Sequence, residues 1–211
     1  LEDPADTSGM SIAEELTPVP VAPVERSARP WGWLVLVASA IGIVSGSITI
    51  MDKIALLKDP AAGSFCDISS TVGCTPVLLA WQSSVLGPPN ALLGVIMFAV
   101  LGTSGAVVAT GGKLVAGFHT AMLGLAVFFA AFLTWYMFEV AYAVGSLCPF
   151  CTVCAAAVLT TVVGTNRMVA AHGTGGAQRL ATRLATGSWD VLIVIGWAAI
   201  IAAMLVSGIW F

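Results

Sequence analysis

Residues 31–51 read WGWLVLVASAIGIVSGSITIM, a run without a charge, set between Arg29 and the pair Asp52-Lys53. A helix needs roughly 20 mostly apolar residues to cross a bilayer, and this stretch meets that requirement. Four further runs do the same. Asn90 to about Thr110 is ended by Gly111-Gly112-Lys113, and the next starts near Leu114 and runs to about Val140. A fourth opens near Cys148 and ends at Thr165-Asn166-Arg167, and the fifth occupies Asp190 to Phe211. Only Gly145-Ser146-Leu147 separates the third from the fourth, which predicts an antiparallel hairpin with a tight turn. The expected fold is an all-α membrane protein.

Composition agrees. Hydrophobic residues make up 58% of the 211 and charged residues 9%, where a soluble domain carries about a quarter charged. Eight Lys and Arg scattered over the chain are too few for a nucleic-acid surface. Leu1 to Arg29, rich in Pro, Ala, Glu and Asp, reads as a disordered cytoplasmic tail. The first apolar run is as long as a span and lacks a small-residue cleavage site, so it is read as a span and not a signal peptide. Cytoplasmic loops carry an excess of Lys and Arg. With the N-terminus inside, the inner segments hold Arg26, Arg29, Lys113, Arg167, Arg179 and Arg183, and the outer ones only Lys53 and Lys58. Trp31, Trp33, Trp135, Tyr136, Tyr142, Trp189 and Trp210 fall near predicted span ends, as an aromatic belt would.

The outer loop, residues 52–89, is the one long extramembrane piece on that side. Thr75 as cap, Pro76 at the first helical position and Gly87 as terminator predict a half-helix too short to cross the bilayer. The inner segment 167–189 reads as a linker, with a helical turn or two around Arg179 and Arg183.

The five cysteines are Cys66, Cys74, Cys148, Cys151 and Cys154. The predicted topology sets the first two in the outer loop and Cys148 and Cys151 at the outer mouth of the fourth span, so four thiols share one face. That face is the oxidising one in bacteria. Cys148-Pro149-Phe150-Cys151 opens a helix, where free N–H groups and the helix dipole stabilise a thiolate. The pair lies on one helical face within about 5 Å of rise, which suits a reducible disulfide. Cys154, one turn further in, reads as a small apolar filler. The C-x7-C loop pair, with no His nearby, lacks the ligand set of a zinc site, so no metal is expected. Thr152 after Cys151 excludes a c-type haem motif. A purely structural Cys66–Cys74 clip remains an alternative at this point, and Asn90, following Pro88-Pro89, reads equally as a helix cap. Glu139 is an interfacial carboxylate or a proton relay, and His119 a packed or interfacial histidine. Leu93, Met97, Phe128, Phe129 and Phe132 are core- or lipid-facing, with some expected in any ligand pocket.

Three elements in this order resemble the bacterial form of the vitamin K epoxide reductase family: Phe65-Cys66-Asp67-Ile68-Ser69-Ser70 through Cys74, Gly87-Pro88-Pro89-Asn90-Ala91-Leu92-Leu93-Gly94, and Leu147-Cys148-Pro149-Phe150-Cys151. The resemblance spans roughly residues 31–166. It implies a four-transmembrane-helix bundle over 31–166, including the outer loop 52–89, with a fifth peripheral transmembrane helix at 190–211 and the short half-helix in the outer loop. It implies Cys148 and Cys151 as the active-site pair, Cys151 facing the quinone. Cys66 and Cys74 would be the shuttle pair, Cys74 nearer Cys148 and Cys66 meeting the external partner. Asn90 would hydrogen-bond a carbonyl of the quinone, menaquinone or ubiquinone.

The implied activity is a thiol–quinone oxidoreductase in the bacterial inner membrane, re-oxidising an exported DsbA-like thioredoxin-fold protein. No thioredoxin-like domain follows the last span in these residues, so that partner is expected in trans. Two departures stand out. Ala155 occupies the position of a frequent family Tyr, and Ala80 precedes Trp81 where the family places Ser or Thr. The rival class is a non-catalytic membrane scaffold or small transporter with a disulfide-clipped loop, although no paired repeat of the transporter kind is present.

Overall fold

Apolar stretches without Pro or Gly-Pro interruption become the long helices, because a helix alone satisfies its backbone inside a bilayer. The computed structural model describes residues 27–210. The expected disordered tail falls largely on residues 1–26, outside those described, as is Phe211. Seven helices follow: α1 Arg29–Lys58, α2 Thr75–Leu79, α3 Asn90–Ala109, α4 Ala116–Glu139, α5 Pro149–His172, α6 Gly175–Thr186 and α7 Trp189–Trp210. Five of them, all but α2 and α6, are long and apolar enough to cross a membrane. Their outward faces carry Val44, Met51, Phe128 and Ile200, each at least 60% exposed. Apolar surface on that scale needs lipid against it.

The spans extend past the apolar runs. α1 does not stop at Asp52-Lys53 but continues to Lys58. Charge marks where the lipid can end, not where the helix must. Ile54-Ala55-Leu56-Leu57 sustains it, and Pro60 with the Asp59 carboxylate, which accepts from the Ala61 N–H, ends it. At 1.5 Å per residue α1 is about 45 Å long, beyond the roughly 30 Å of hydrocarbon. Likewise α5 runs to His172 rather than Arg167, and much of the linker is the three-turn helix α6. The predicted half-helix is shorter: α2 gives way at Ala80 to a 3₁₀ turn, Trp81–Ser84. Cys74 rather than Thr75 occupies the cap position of α2.

Small residues set the packing. A Cβ on Gly105 would lie 2.8 Å from the Gly32 carbonyl, and one on Gly102 3.0 Å from Ser39 Cβ. α1 and α3 therefore approach backbone to backbone and run antiparallel, as small-residue interfaces in membranes do. On its other side α1 meets α5 in antiparallel sense: Val35 fills the space above Gly164, and Ser45 donates to the Phe150 carbonyl. α4 completes the four-helix bundle, its start meeting the end of α5 where His119 and His172 stack at 5.5 Å. α7 lies outside, on α4 and α5, with Ile201 and Leu205 buried. It is tethered by Trp197 Nε1 to Thr134 Oγ1 (2.7 Å) and by the Arg167–Asp190 pair, whose guanidinium covers the Trp31 ring at 4.9 Å. The molecule thus has two ends. One holds Arg29, Lys113, His119 and Arg167. The other holds the loop 59–89, Asn90 and Cys148.

Candidate redox site

The loop from Ser64 to Thr75 is organised by one carboxylate. Asp67 Oδ1 accepts from the backbone N–H of Cys74 (2.8 Å) and Thr75 (3.0 Å), and Oδ2 from the Ser64 N–H (2.9 Å) and the Thr75 hydroxyl. Burial pushes the Asp67 carboxyl up, but these bonds, led by Thr75, outweigh it and hold it at about 2. Gly73 lies close under this carboxylate, where a Cβ would sit 2.7 Å from Asp67 Oδ1 and displace it. Within the ring, Cys66 and Cys74 form a disulfide with a Cα–Cα separation of 5.7 Å, inside the normal range. Asp52, on the projecting end of α1, accepts from the Ser64 hydroxyl and lies 4.0 Å from Cys66 Sγ.

A second set of bonds carries the loop to the α4–α5 turn. Gly73 N–H donates to the Leu147 carbonyl (3.0 Å), and Leu147 N–H to the Thr71 carbonyl (2.9 Å), a short parallel bridge between Val72 and Leu147. The residue after each partner is a cysteine or leads to one, so Cys74 Sγ comes to 3.2 Å from Cys148 Sγ, both buried. Cys148 caps α5, its sulfur accepting from the Cys151 N–H at 3.4 Å. The Cys151 side chain close against it, together with the N–H groups of Cys151 and Phe150, holds the Cys148 thiol below its ordinary value. Burial and the Asp52 charge oppose this and are outweighed.

Cys151, one turn on, borders an open cavity between the bundle helices and the outer-loop residues Leu78 and Ser83. Phe98, Phe129, Phe132 and Leu133 give its apolar wall, and Gly42 and Gly46 make room on the α1 side. Its polar atoms are few. Asn90 Nδ2 donates to the Gln82 carbonyl at 2.6 Å, while Asn90 Oδ1 is buried with no partner among the described residues. Tyr136, Lys53 and Ser83 also border it. An apolar cavity with a small set of convergent polar groups is the usual form of a small-molecule site.

All four expected cysteines and Asn90 thus meet at one end of the molecule. The chain matches the profile of the Vitamin K epoxide reductase family over residues 33–165. It belongs to the vitamin K epoxide reductase family. No curated protein matches it significantly. Membership and the close sulfurs support an oxidoreductase in a multi-pass membrane protein. The matched region covers α1 through most of α5 and leaves α6 and α7 outside it.

Several other residues tied to the vitamin K epoxide reductase reading have definite places. Asn90 is the first residue of α3 and does not cap it: Pro89 stands at the cap position, and Asn90 Nδ2 donates to the Gln82 carbonyl instead. Ala155 is buried outside the cavity lining. Cys154 borders the cavity and leans on the Gly42 carbonyl at 3.8 Å. Glu139 accepts from Gln82 Nε2 at 3.2 Å, and His119 lies at the opposite end. Met97, Phe129 and Phe132 line the cavity, whereas Phe128 is 60% exposed and Leu93 stays off it. Tyr136, expected in an aromatic belt, is instead buried beside Cys151. The signal for it was its phase: Phe129, Phe132, Leu133 and Tyr136 fall on one helical stripe of α4. Lys53 and Asp52 had no comparable signal, being read as the end of a span.

Proposed function

We propose that this chain is a thiol–quinone oxidoreductase that re-oxidises an exported DsbA-like thioredoxin-fold protein, through two cysteine pairs, and so supports disulfide formation. The observation that carries this reading is the 3.2 Å approach of Cys148 to the Cys66–Cys74 disulfide, with Cys151 bordering the cavity. The catalytic unit is residues 31–166. The fifth helix, 190–211, is peripheral, and the linker 167–189 joins them. The cation distribution supports a bacterial inner-membrane topology with the N-terminus inside and the cysteines outside.

The chemistry is a chain of exchanges. A partner thiolate attacks Cys66, releasing Cys74; a second partner thiolate resolves the mixed disulfide, leaving the partner oxidised and the loop as a dithiol. The Cys74 thiolate then attacks Cys148 of a Cys148–Cys151 disulfide and expels Cys151. Cys66 displaces Cys148 from Cys74, which restores the loop disulfide and leaves the electron pair on Cys148 and Cys151. The arrangement of a Cys66–Cys74 disulfide with free Cys148 and Cys151 corresponds to that stage.

The cavity fits a quinone ring: its walls are apolar, Asn90 Nδ2 gives one N–H to the Gln82 carbonyl and keeps the second for a ring carbonyl, and Cys151 borders it. A bound quinone, menaquinone or ubiquinone, supplies the two-electron, two-proton acceptor. Asn90 and Tyr136 would hold its polar edge, and Tyr136 offers from α4 the phenol that Ala155 cannot.

Replacing Cys151 by Ala tests the reading. With purified chain, dithiothreitol and a short-chain ubiquinone, Cys151→Ala should abolish quinone reduction. Reduction of Cys66–Cys74 by dithiothreitol, read by thiol labelling, should persist. Unchanged turnover would remove Cys151 from this role. A loop disulfide that never cycles in the wild type would favour the scaffold reading.

A further inference from the structure

The cavity is bordered by a formal charge that the exchange chemistry leaves unused. Lys53 is 8% exposed on the projecting end of α1. Its Nζ donates to Ser83 Oγ and Ser84 Oγ, each at 2.6 Å. An ammonium carries three donors, so one N–H remains. No carboxylate lies within 4.0 Å of Nζ; Arg167–Asp190 is the sole Lys or Arg ion pair among the described residues. The adjacent Asp52 turns to Ser64 and Cys66, and Glu139 to Gln82. A buried cation without a counter-ion is costly, which makes it informative.

The other polar side chains nearby are already committed or neutral. The Thr49 hydroxyl donates to the Ser45 carbonyl, and the Ser83 hydroxyl to the Leu78 and Ala80 carbonyls. Lys53 and Asn90, from two different helices, are anchored on consecutive residues of one 3₁₀ turn, Ser83 and Gln82. That turn gathers a cation and an unpartnered amide oxygen at the same border of the cavity.

We propose that Lys53 is a further catalytic residue of this site, its free N–H meeting the quinone oxygen on which negative charge develops. The proposal rests on the thiol–quinone reading. In that step the Cys148–Cys151 S–S bond forms, the electron pair passes to the quinone, and the two thiol protons end on its oxygens as quinol. Lys53 stabilises the charge and is not consumed. Ser83 and Ser84 position it.

The test uses the full chain in detergent, dithiothreitol as reductant and short-chain ubiquinone as acceptor. Lys53→Gln keeps a donor for the serines and removes the charge, while Lys53→Arg keeps the charge. Expected for Lys53→Gln is a fall in kcat of about 10²-fold, the usual loss of one preorganised donor at a developing anion. KM and quinone affinity, the latter read by tryptophan quenching, should move much less, and Lys53→Arg should recover most of the rate. Thiol labelling after dithiothreitol alone should show unaltered reduction of both cysteine pairs in every variant. Lys53→Met repeats the test if the glutamine variant does not fold. A Lys53→Gln rate near wild type, or loss of cysteine-pair reduction by dithiothreitol in parallel with quinone reduction, overturns the proposal. Wild-type chain whose cysteine pairs are reduced by dithiothreitol yet which reduces no quinone overturns the underlying reading instead.

Discussion

Asp67 shows how much one side chain carries here. Four donors converge on it, and they belong to residues on both sides of the disulfide ring. A carboxyl held at about 2, below its ordinary 3.8, contributes order above the ordinary value and loses it as pH falls through the held one. The loop should therefore keep its structure above about pH 4 and loosen progressively towards pH 2, visible as faster amide exchange over residues 64–75. Asp67→Asn should bring that loosening to neutral pH, speeding reduction of Cys66–Cys74 by dithiothreitol roughly 3- to 10-fold. An unchanged reduction rate would mean that the ring is held by something else. At this scale the cysteines were legible, because spacing and a helix start are local properties. That Cys74 is the loop cysteine nearer Cys148 came only with the family resemblance and not from spacing, since the contact depends on a bridge between Val72 and Leu147, far apart in the chain. Tyr136 and Lys53 were hidden for another reason. Near a span end, an aromatic or a cation has a generic interfacial explanation that conceals a specific one.

Among elements, α1 matters most. Its glycines admit α3 on one side and leave space for the cavity on the other, and Gly42 lies directly against the Phe98 ring. Gly42→Val would drive that ring into the cavity at a cost of about 1–3 kcal/mol. The expected result is a rise of roughly tenfold in quinone KM with reduction of the cysteine pairs by dithiothreitol intact. Equal loss of both would show that the glycine serves the fold alone. Element existence was readable from hydrophobic runs, while element length was not. Runs of apolar residues report lipid contact, and α1, α5 and α6 all continue as helix into regions where charge is tolerated. The half-helix failed in the opposite direction, because Ala80 turns extended and breaks it.

For the whole molecule, the two ends do different work. At the end away from the cysteines, a half-buried Arg167 pairs with a buried Asp190, their side-chain exposures being 15% and 4%. Arg167→Met strands the carboxylate, costing about 3–5 kcal/mol, and should lower the thermal midpoint in detergent. Adding Asp190→Leu should restore most of it. Surviving Arg167→Met protein should cycle its cysteines at the wild-type rate, and a large loss there would mean the two ends are coupled. The five-span architecture followed from composition and length. Which helices pack together was less accessible, because it is decided by single glycines meeting backbone across helices.

Cys74 lies between Cys66 and Cys148, and a sulfur forms only one S–S bond at a time. The loop disulfide and a Cys74–Cys148 link are mutually exclusive, so on the proposed function traffic across this junction would be a turnstile with one passage. Cys151 lies behind it, towards the bilayer. Thiols in the surrounding medium would thus have no short circuit to the membrane's electron pool, and insulation would be a product of valence and placement alone.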